Sequence, residues 1–294
     1  MTAAFTTHAA ASAATRTPDM RISMTEHRGS RMHVLDWVSS SDFDKELVEL
    51  VRPIACTRDS GWICMPKGGA EDAEARLEIF GPEAFPEHAQ TFRDLKSWWL
   101  AKGGNTPNWD IALRANIEGT PGLVLVEAKA NHPELDNGPK TPFRLSAEQV
   151  RRLSPAQQAA AEQRSRENLV RIDSALAEAT QALAATFPGI RLGRDEDYQL
   201  SNRVAFAWKI ASQGIPVVLI YLGFTGDGAF GDRQLRDSND WENAFRKHLA
   251  TIGSPDFLER RIETVRAPLW VLLRAKKRRR ISPPAMPRAT QIRA

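Results

Sequence analysis

Three residues of this 294-residue chain are of types that do chemistry together. Glu127 and Lys129 interrupt the apolar run Gly-Leu-Val-Leu-Val-Glu-Ala-Lys-Ala at 122–130, which reads as a strand buried on both faces. Alternation puts both charges on the face of Leu123 and Leu125. A charge buried alone is costly, so each needs a partner. Asp110 is the candidate. It lies on a second strand, 108–117, joined to the first by the turn-like Glu118-Gly119-Thr120-Pro121. A hairpin turning near Gly119-Thr120 sets Asp110 opposite Lys129, on the same face. A slip of one residue would send Asp110 to the other face.

Two carboxylates one strand apart can hold a divalent cation. Mg²⁺ takes one or two carboxylates and keeps waters, leaving room for a phosphate oxygen. The ion polarises that phosphate and lowers the pKa of a bound water. A lysine beside them can position the water or offset charge in the transition state. The set suits hydrolysis of a phosphodiester. The same spacing also describes an internal Lys–carboxylate salt bridge closing a strand.

Asp110, followed after sixteen residues by Glu127-Ala128-Lys129, resembles the signature of the PD-(D/E)xK, or restriction-endonuclease-like, nuclease superfamily. Asn108-Trp109 precedes the aspartate here, where the family name has proline. The resemblance implies an α/β fold with an αβββαβ core and a mixed central sheet flanked by helices. The element order from about 71 to 224 matches it. It also implies that Asp110 and Glu127 bind Mg²⁺, with Mn²⁺ as a substitute, and that Lys129 assists water attack. Members often add a glutamate from the upstream helix, and Glu78 is the position that corresponds. Some branches carry a glutamine on the helix after the Glu-x-Lys strand, which Gln199 matches.

The elements around these residues follow from pattern. Helices are expected at 43–51, at 71–80 carrying Glu78, and at 88–101. A loop with Pro133, Gly138, Pro139 and Pro142 follows the Glu127 strand. There Glu134 is a candidate supporting residue and His132 a loop histidine. Ser146 with Gln149 resembles a capping box. It opens an alanine-rich helical region to about 186, broken near Ser154-Pro155. A helix at 195–213 carries Gln199, Asn202 and Arg203 at i, i+3 and i+4, so on one face. Arg203 suits a phosphate, and a solvated face is the plain alternative. A strand at 216–223 arrives by helical crossover, so it is expected parallel to the strand before. Helices at 239–251 and 255–266 end the body.

Charge is uneven. The net charge is +4, yet 274–294 holds eight basic residues and no acid, so the rest is acidic overall. A basic tail from 271, including Lys276, Lys277, Arg278, Arg279 and Arg280, suits a polyanion such as nucleic acid, and for a nuclease DNA is the expected partner over RNA. A merely solubilising tail is the alternative. Residues 1–30 read as a disordered extension, and 31–270 as the nuclease-like domain. No apolar run approaches the roughly 18 residues a membrane span needs. With two cysteines, Cys56 and Cys64, neither a disulfide framework nor a four-cysteine zinc site is available. A cytoplasmic setting is expected.

Gly226-Asp227-Gly228-Ala229-Phe230-Gly231 matches GxGxxG after a strand. However, polar residues separate it from the next helix start, near Ser238 or Asp240, which argues for a loop. Three readings stand: a metal-dependent nuclease, a non-catalytic nucleic-acid-binding or protein-interaction module on the same fold, and a nucleotide-binding enzyme using that loop.

Overall fold

The computed structural model describes residues 29–58, 61–66, 74–136, 138–253 and 255–278. The chain opens with helices α1 (Ser30–Val38) and α2 (Phe43–Val51). Short strands β1 (Cys56–Thr57), β2 (Ile63–Met65) and β3 (Ala75–Arg76) follow. Helices α3 (Leu77–Ala84) and α4 (Ala89–Trp99) lead to β4 (Asn108–Trp109), β5 (Ile111–Ile117) and β6 (Thr120–Lys129). Then come α5 (Ala147–Arg152), α6 (Pro155–Ala184), α7 (Tyr198–Ser212) and β7 (Val217–Thr225). Helix α8 (Ser238–Thr251), β8 (Arg261–Ile262) and β9 (Leu269–Lys277) complete it.

The central sheet has the order β1-β5-β6-β7-β9-β8, with β2 also on β5. β5 and β6 are antiparallel, β6–β7 and β7–β9 parallel, and β8–β9 antiparallel. The sheet is therefore mixed, and helices flank it on both faces. Alternation along each strand divides the core in two. Ala112, Leu123, Leu125 and Leu219 pack with Phe92, Leu176 and Phe206 of the helices that follow α2. Leu113, Val124, Val126 and Ile220 face the other way, against Val34, Trp37 and Leu47 of α1 and α2. Buried on both faces, β6 and β7 can be almost wholly apolar. Among the described residues, no helix is long and apolar enough to cross a membrane.

The hairpin turn is tighter than expected. Ile117 pairs with Thr120, leaving only Glu118 and Gly119 in the loop. Both have positive φ, 49° and 87°, which is the two-residue turn whose twist suits antiparallel strands. The register therefore differs by two residues from a turn centred on Gly119-Thr120. Ile111 pairs with Val126, so Asp110 is level with Glu127, not Lys129. An even shift preserves the face.

Several expected boundaries are corrected. The helix expected at 71–80 begins only at Leu77, because Ala75 and Arg76 pair with Trp109 and Asn108; residues 71–73 lie outside the described residues. The expected helix 255–266 is absent. Glu259 has φ 61°, which a helix cannot accommodate, and Arg261 and Ile262 pair with Trp270 and Leu269. A tail from 271 is not what forms: 269–277 is a strand paired along its length with β7. The division at 30 falls at the start of α1, whose Ser30 N–H donates to Glu134 Oε1 at 3.2 Å; residues 1–28 lie outside the described residues. Helix α8 is capped by Asp237, not Ser238 or Asp240. The breaks inside the alanine-rich region match expectation. Ser146 with Gln149 and Ser154 with Gln157 each form a capping box.

Candidate active site

Asp110 sits where the chain leaves the sheet, between β4 and β5. Its Oδ2 accepts the Ala128 N–H at 2.8 Å, which locks it to the strand bearing Glu127 and Lys129. Among the described residues nothing bonds to its other oxygen. Glu127 and Lys129 project from the end of β6 onto the face covered by α7. Lys129 Nζ donates to Glu127 Oε1 at 2.8 Å and to Gln199 Oε1. Arg203 Nε donates to Glu127 Oε2 at 2.6 Å, and its Nη1 to Asn202 Oδ1 at 2.8 Å. The Arg203 guanidinium lies 4.7 Å from the Trp109 ring centre, a contact that favours the cation when it is removed from water. Just past Lys129, Glu134 Oε2 accepts the Ala130 N–H at 2.8 Å and braces the end of the strand.

Helix α7 can bring three polar side chains here because its N-terminus is fixed. Asp197 caps it by accepting the Leu200 N–H at 3.1 Å, and His248 of α8 holds the other carboxylate oxygen. The face with Asn202 and Arg203 is buried, not solvated. Asp110, Glu127 and Lys129 are each less than a tenth exposed.

Burial and neighbours push the carboxylates apart in acidity. Burial first, then Glu127 and Glu74, pushes the Asp110 carboxyl up to about 8. Burial also acts to raise Glu127, but Arg203 and Lys129 outweigh it and hold Glu127 below the usual carboxylate range. Glu127 is thus the fixed anion and Asp110 the strained one.

These groups line a cavity of about 570 Å³ that also contains Gln199, Asn202 and Arg203. Sequence reasoning brought these six together. Glu78 does not join them. Its carboxylate accepts the Thr106 hydroxyl and does not line the cavity. Glu74 does line it. It was missed because the segment before α3 reads as helix, and only the pairing of Ala75 with Trp109 turns it toward the site. Trp109 and Tyr198 were also missed, since an aromatic beside a charge carries no distinctive spacing. Arg203, expected to meet a phosphate, lines the cavity with its Nε on Glu127 and its Nη1 on Asn202. Lys276, Lys277 and Arg278 do not line the cavity. Lys276 pairs with Glu46 at 2.8 Å and Arg278 with Asp227 at 2.6 Å. Arg279 and Arg280 lie outside the described residues. His132 bonds Asp240 at 3.3 Å, away from the cavity.

Among the described residues, no group of three His, Cys, Asp or Glu side chains is arranged to hold a metal ion. The carboxylates in the cavity wall are those of Asp110, of Glu127, whose two oxygens also accept from Lys129 and Arg203, and of Glu74. That set fits Mg²⁺ or Mn²⁺, hard ions that need few protein oxygens and complete their shell with water and substrate. Burial first, and then the neighbouring Glu127 and Glu74, disfavour the Asp110 anion, and a divalent cation would offset both. Comparison with known proteins finds no matching family model, no matching curated protein and no matching solved structure.

Proposed function

We propose that this chain is a metal-dependent nuclease that hydrolyses phosphodiester bonds, with DNA favoured over RNA, on a restriction-endonuclease-like core. One observation carries the reading: Asp110, Glu127 and Lys129 meet in a single recessed cavity, with Asp110 tied to the strand that bears the other two and Lys129 held on Glu127. The element order supports it as well. Helix α4, the β5–β6 hairpin, crossover helices and a parallel β7 follow one another, with two central-sheet strands where that core has three.

Asp110 and Glu127 are the residues that would hold Mg²⁺. Bound there, the ion would supply a Lewis acid for the scissile phosphate and a water of lowered pKa. Lys129 is oriented by Glu127 and Gln199 toward the cavity's carboxylate end, where its ammonium can position an attacking water and offset developing charge. Gln199 and Arg203 act on these groups, not on substrate. Gln199 steers Lys129, and Arg203, seated on Trp109, fixes the Glu127 carboxylate.

A second reading has its own support. Both Glu127 oxygens are taken, by Lys129 and Arg203. A closed ion-pair network of this kind suits a non-catalytic binding module on the same architecture. The two readings separate in a cleavage assay on single-stranded and duplex DNA and RNA, with Mg²⁺, Mn²⁺ or EDTA. A nuclease cleaves only with metal and loses cleavage in Asp110→Asn and Lys129→Met. Absence of cleavage by folded wild type under every condition would sink the catalytic reading.

A further inference from the structure

The candidate site opens onto a second depression. The cavity with Asp110 and Glu127 shares Asn105, Pro139 and Lys140 with a groove of about 930 Å³. Among the described residues, no carboxylate lines this groove, whereas Lys102, Lys140, Arg144 and Arg164 all do. Lys102 is shared with Glu167 at 3.1 Å. Among the described residues, no acid pairs with Lys140, Arg144 or Arg164. In a body whose net charge is acidic outside 274–294, a groove of one sign is a selective feature.

The groove is built, not incidental. One wall, at 100–105, is tied to α6 by Asn168, which accepts the Lys102 N–H and donates to its carbonyl, each at 2.9 Å. The other wall, at 138–144, is tied to the same helix by Ser165, whose hydroxyl oxygen accepts the Phe143 N–H at 2.8 Å. Arg194 grips that wall from behind. Its carbonyl accepts the Lys140 N–H at 2.8 Å, and its Nη1 donates to the Lys140 carbonyl at 2.8 Å. Phe143 nevertheless stays 54% exposed beside Arg144. The groove thus presents an exposed aromatic face next to its cations.

We propose that this groove binds a single-stranded segment of nucleic acid and feeds it into the cavity. The proposal rests on the nuclease reading for what happens at the cavity, but not for the binding itself. Arg144, Arg164 and Lys140 track the phosphates, and Phe143 stacks on a base. Single-strandedness follows from two facts. The faces of paired bases are hidden within the duplex, so an exposed Phe143 can stack only on an unpaired one. The carboxylates are also recessed, each less than a tenth exposed, so the substrate backbone must bend inward to reach them. A flexible strand does this, and a stiff duplex resists it.

The test is equilibrium binding in EDTA, where no metal-dependent cleavage occurs, to a labelled mixed-sequence DNA single strand, its duplex, and polyglutamate. Wild type should bind the single strand at least tenfold more tightly than either competitor. Phe143→Ala should weaken strand binding by about tenfold, the order expected for one lost base stack. Arg144→Ala with Arg164→Ala should lower the slope of log affinity against log salt by about 1.4, at about 0.7 per phosphate contact on a single strand. These side chains are at the surface, so folding can be verified by an unchanged melting temperature. Equal affinity for duplex or polyglutamate would overturn the proposal. So would an unchanged salt slope in the double variant. Strand binding that depends on these residues, without cleavage in Mg²⁺ or Mn²⁺, keeps the groove and removes the nuclease reading. Metal-dependent cleavage indifferent to all three substitutions does the reverse.

Discussion

At Asp110 the demands of stability and of metal binding conflict, and the conflict can be measured. Its carboxyl is raised to about 8, so the folded chain keeps a proton that the unfolded chain has lost from about pH 4 upward. Without metal, the stability contribution of Asp110 is present at low pH and is lost as pH rises through about 8. An asparagine at this position does not titrate and can still accept the Ala128 N–H. Asp110→Asn should therefore melt above wild type in EDTA, by a margin that widens from pH 5 to pH 8, while metal-dependent cleavage falls at least about a hundredfold. A margin constant with pH would contradict the raised carboxyl. Glu127 is the opposite case. Glu127→Gln removes the carboxylate that pairs with both Arg203 and Lys129, each buried. Breaking a buried pair in this way costs about 3–5 kcal/mol, so the variant should melt roughly 10 °C lower. Cleavage data on that variant need thermal melts beside them for this reason.

The elements show what could be read from sequence and what could not. The face shared by Asp110, Glu127 and Lys129 was legible because strand alternation has a period of two, and the two-residue register difference leaves it intact. The identity of the helical glutamate was not legible. Residues 74–76 have helix-forming character, but pairing of β3 with β4 overrides it and rotates Glu74, not Glu78, to the cavity. The polar stripe of α7 was legible as one face, yet its burial was not, since periodicity cannot say whether such a face meets water or a site. Gly223 is a case that only coordinates reveal. It pairs with Lys129 across β6 and β7, and a Cβ there would lie 2.6 Å from the Trp241 indole. Gly223→Ala should cost about 1–3 kcal/mol through overpacking, read as a lower melting temperature. It should also reduce cleavage, because the strand bearing Lys129 must shift. A melt equal to wild type would show that Trp241 yields freely.

At the scale of the molecule, the basic C-terminal region divides into two parts with different work. Composition alone made 271 onward one tail, because Arg274, Lys276 and Lys277 are charged. The strand 269–277 instead lies between β7 and β8 in the sheet, and two of its three cations, Arg274 and Lys276, are used within the fold. Arg274 donates to the carbonyls of Leu50 and Arg52 at 2.6 and 2.7 Å, and Lys276 lies 5.1 Å from the Trp37 ring centre. Arg278 closes a buried cluster on Asp227, which also holds His33 of α1 at 2.8 Å. Phosphate contacts from the C-terminal region are therefore left to the exposed Lys277 and to Arg279, Arg280, Arg288 and Arg293. A chain ending after Arg278 should keep its melting temperature within about 2 °C, since the β9 ladder and the Asp227 contact survive. If those four arginines add nonspecific affinity, the truncated chain should also show a shallower salt dependence on DNA. A chain ending after Pro268 loses the strand between β7 and β8 and uncovers Val217 to Phe224 along one edge, so it should not fold cooperatively. An unchanged salt slope in the first truncation would assign all nonspecific affinity to the body of the protein. The groove beside Phe143 would then be a basic surface on that body able to carry it.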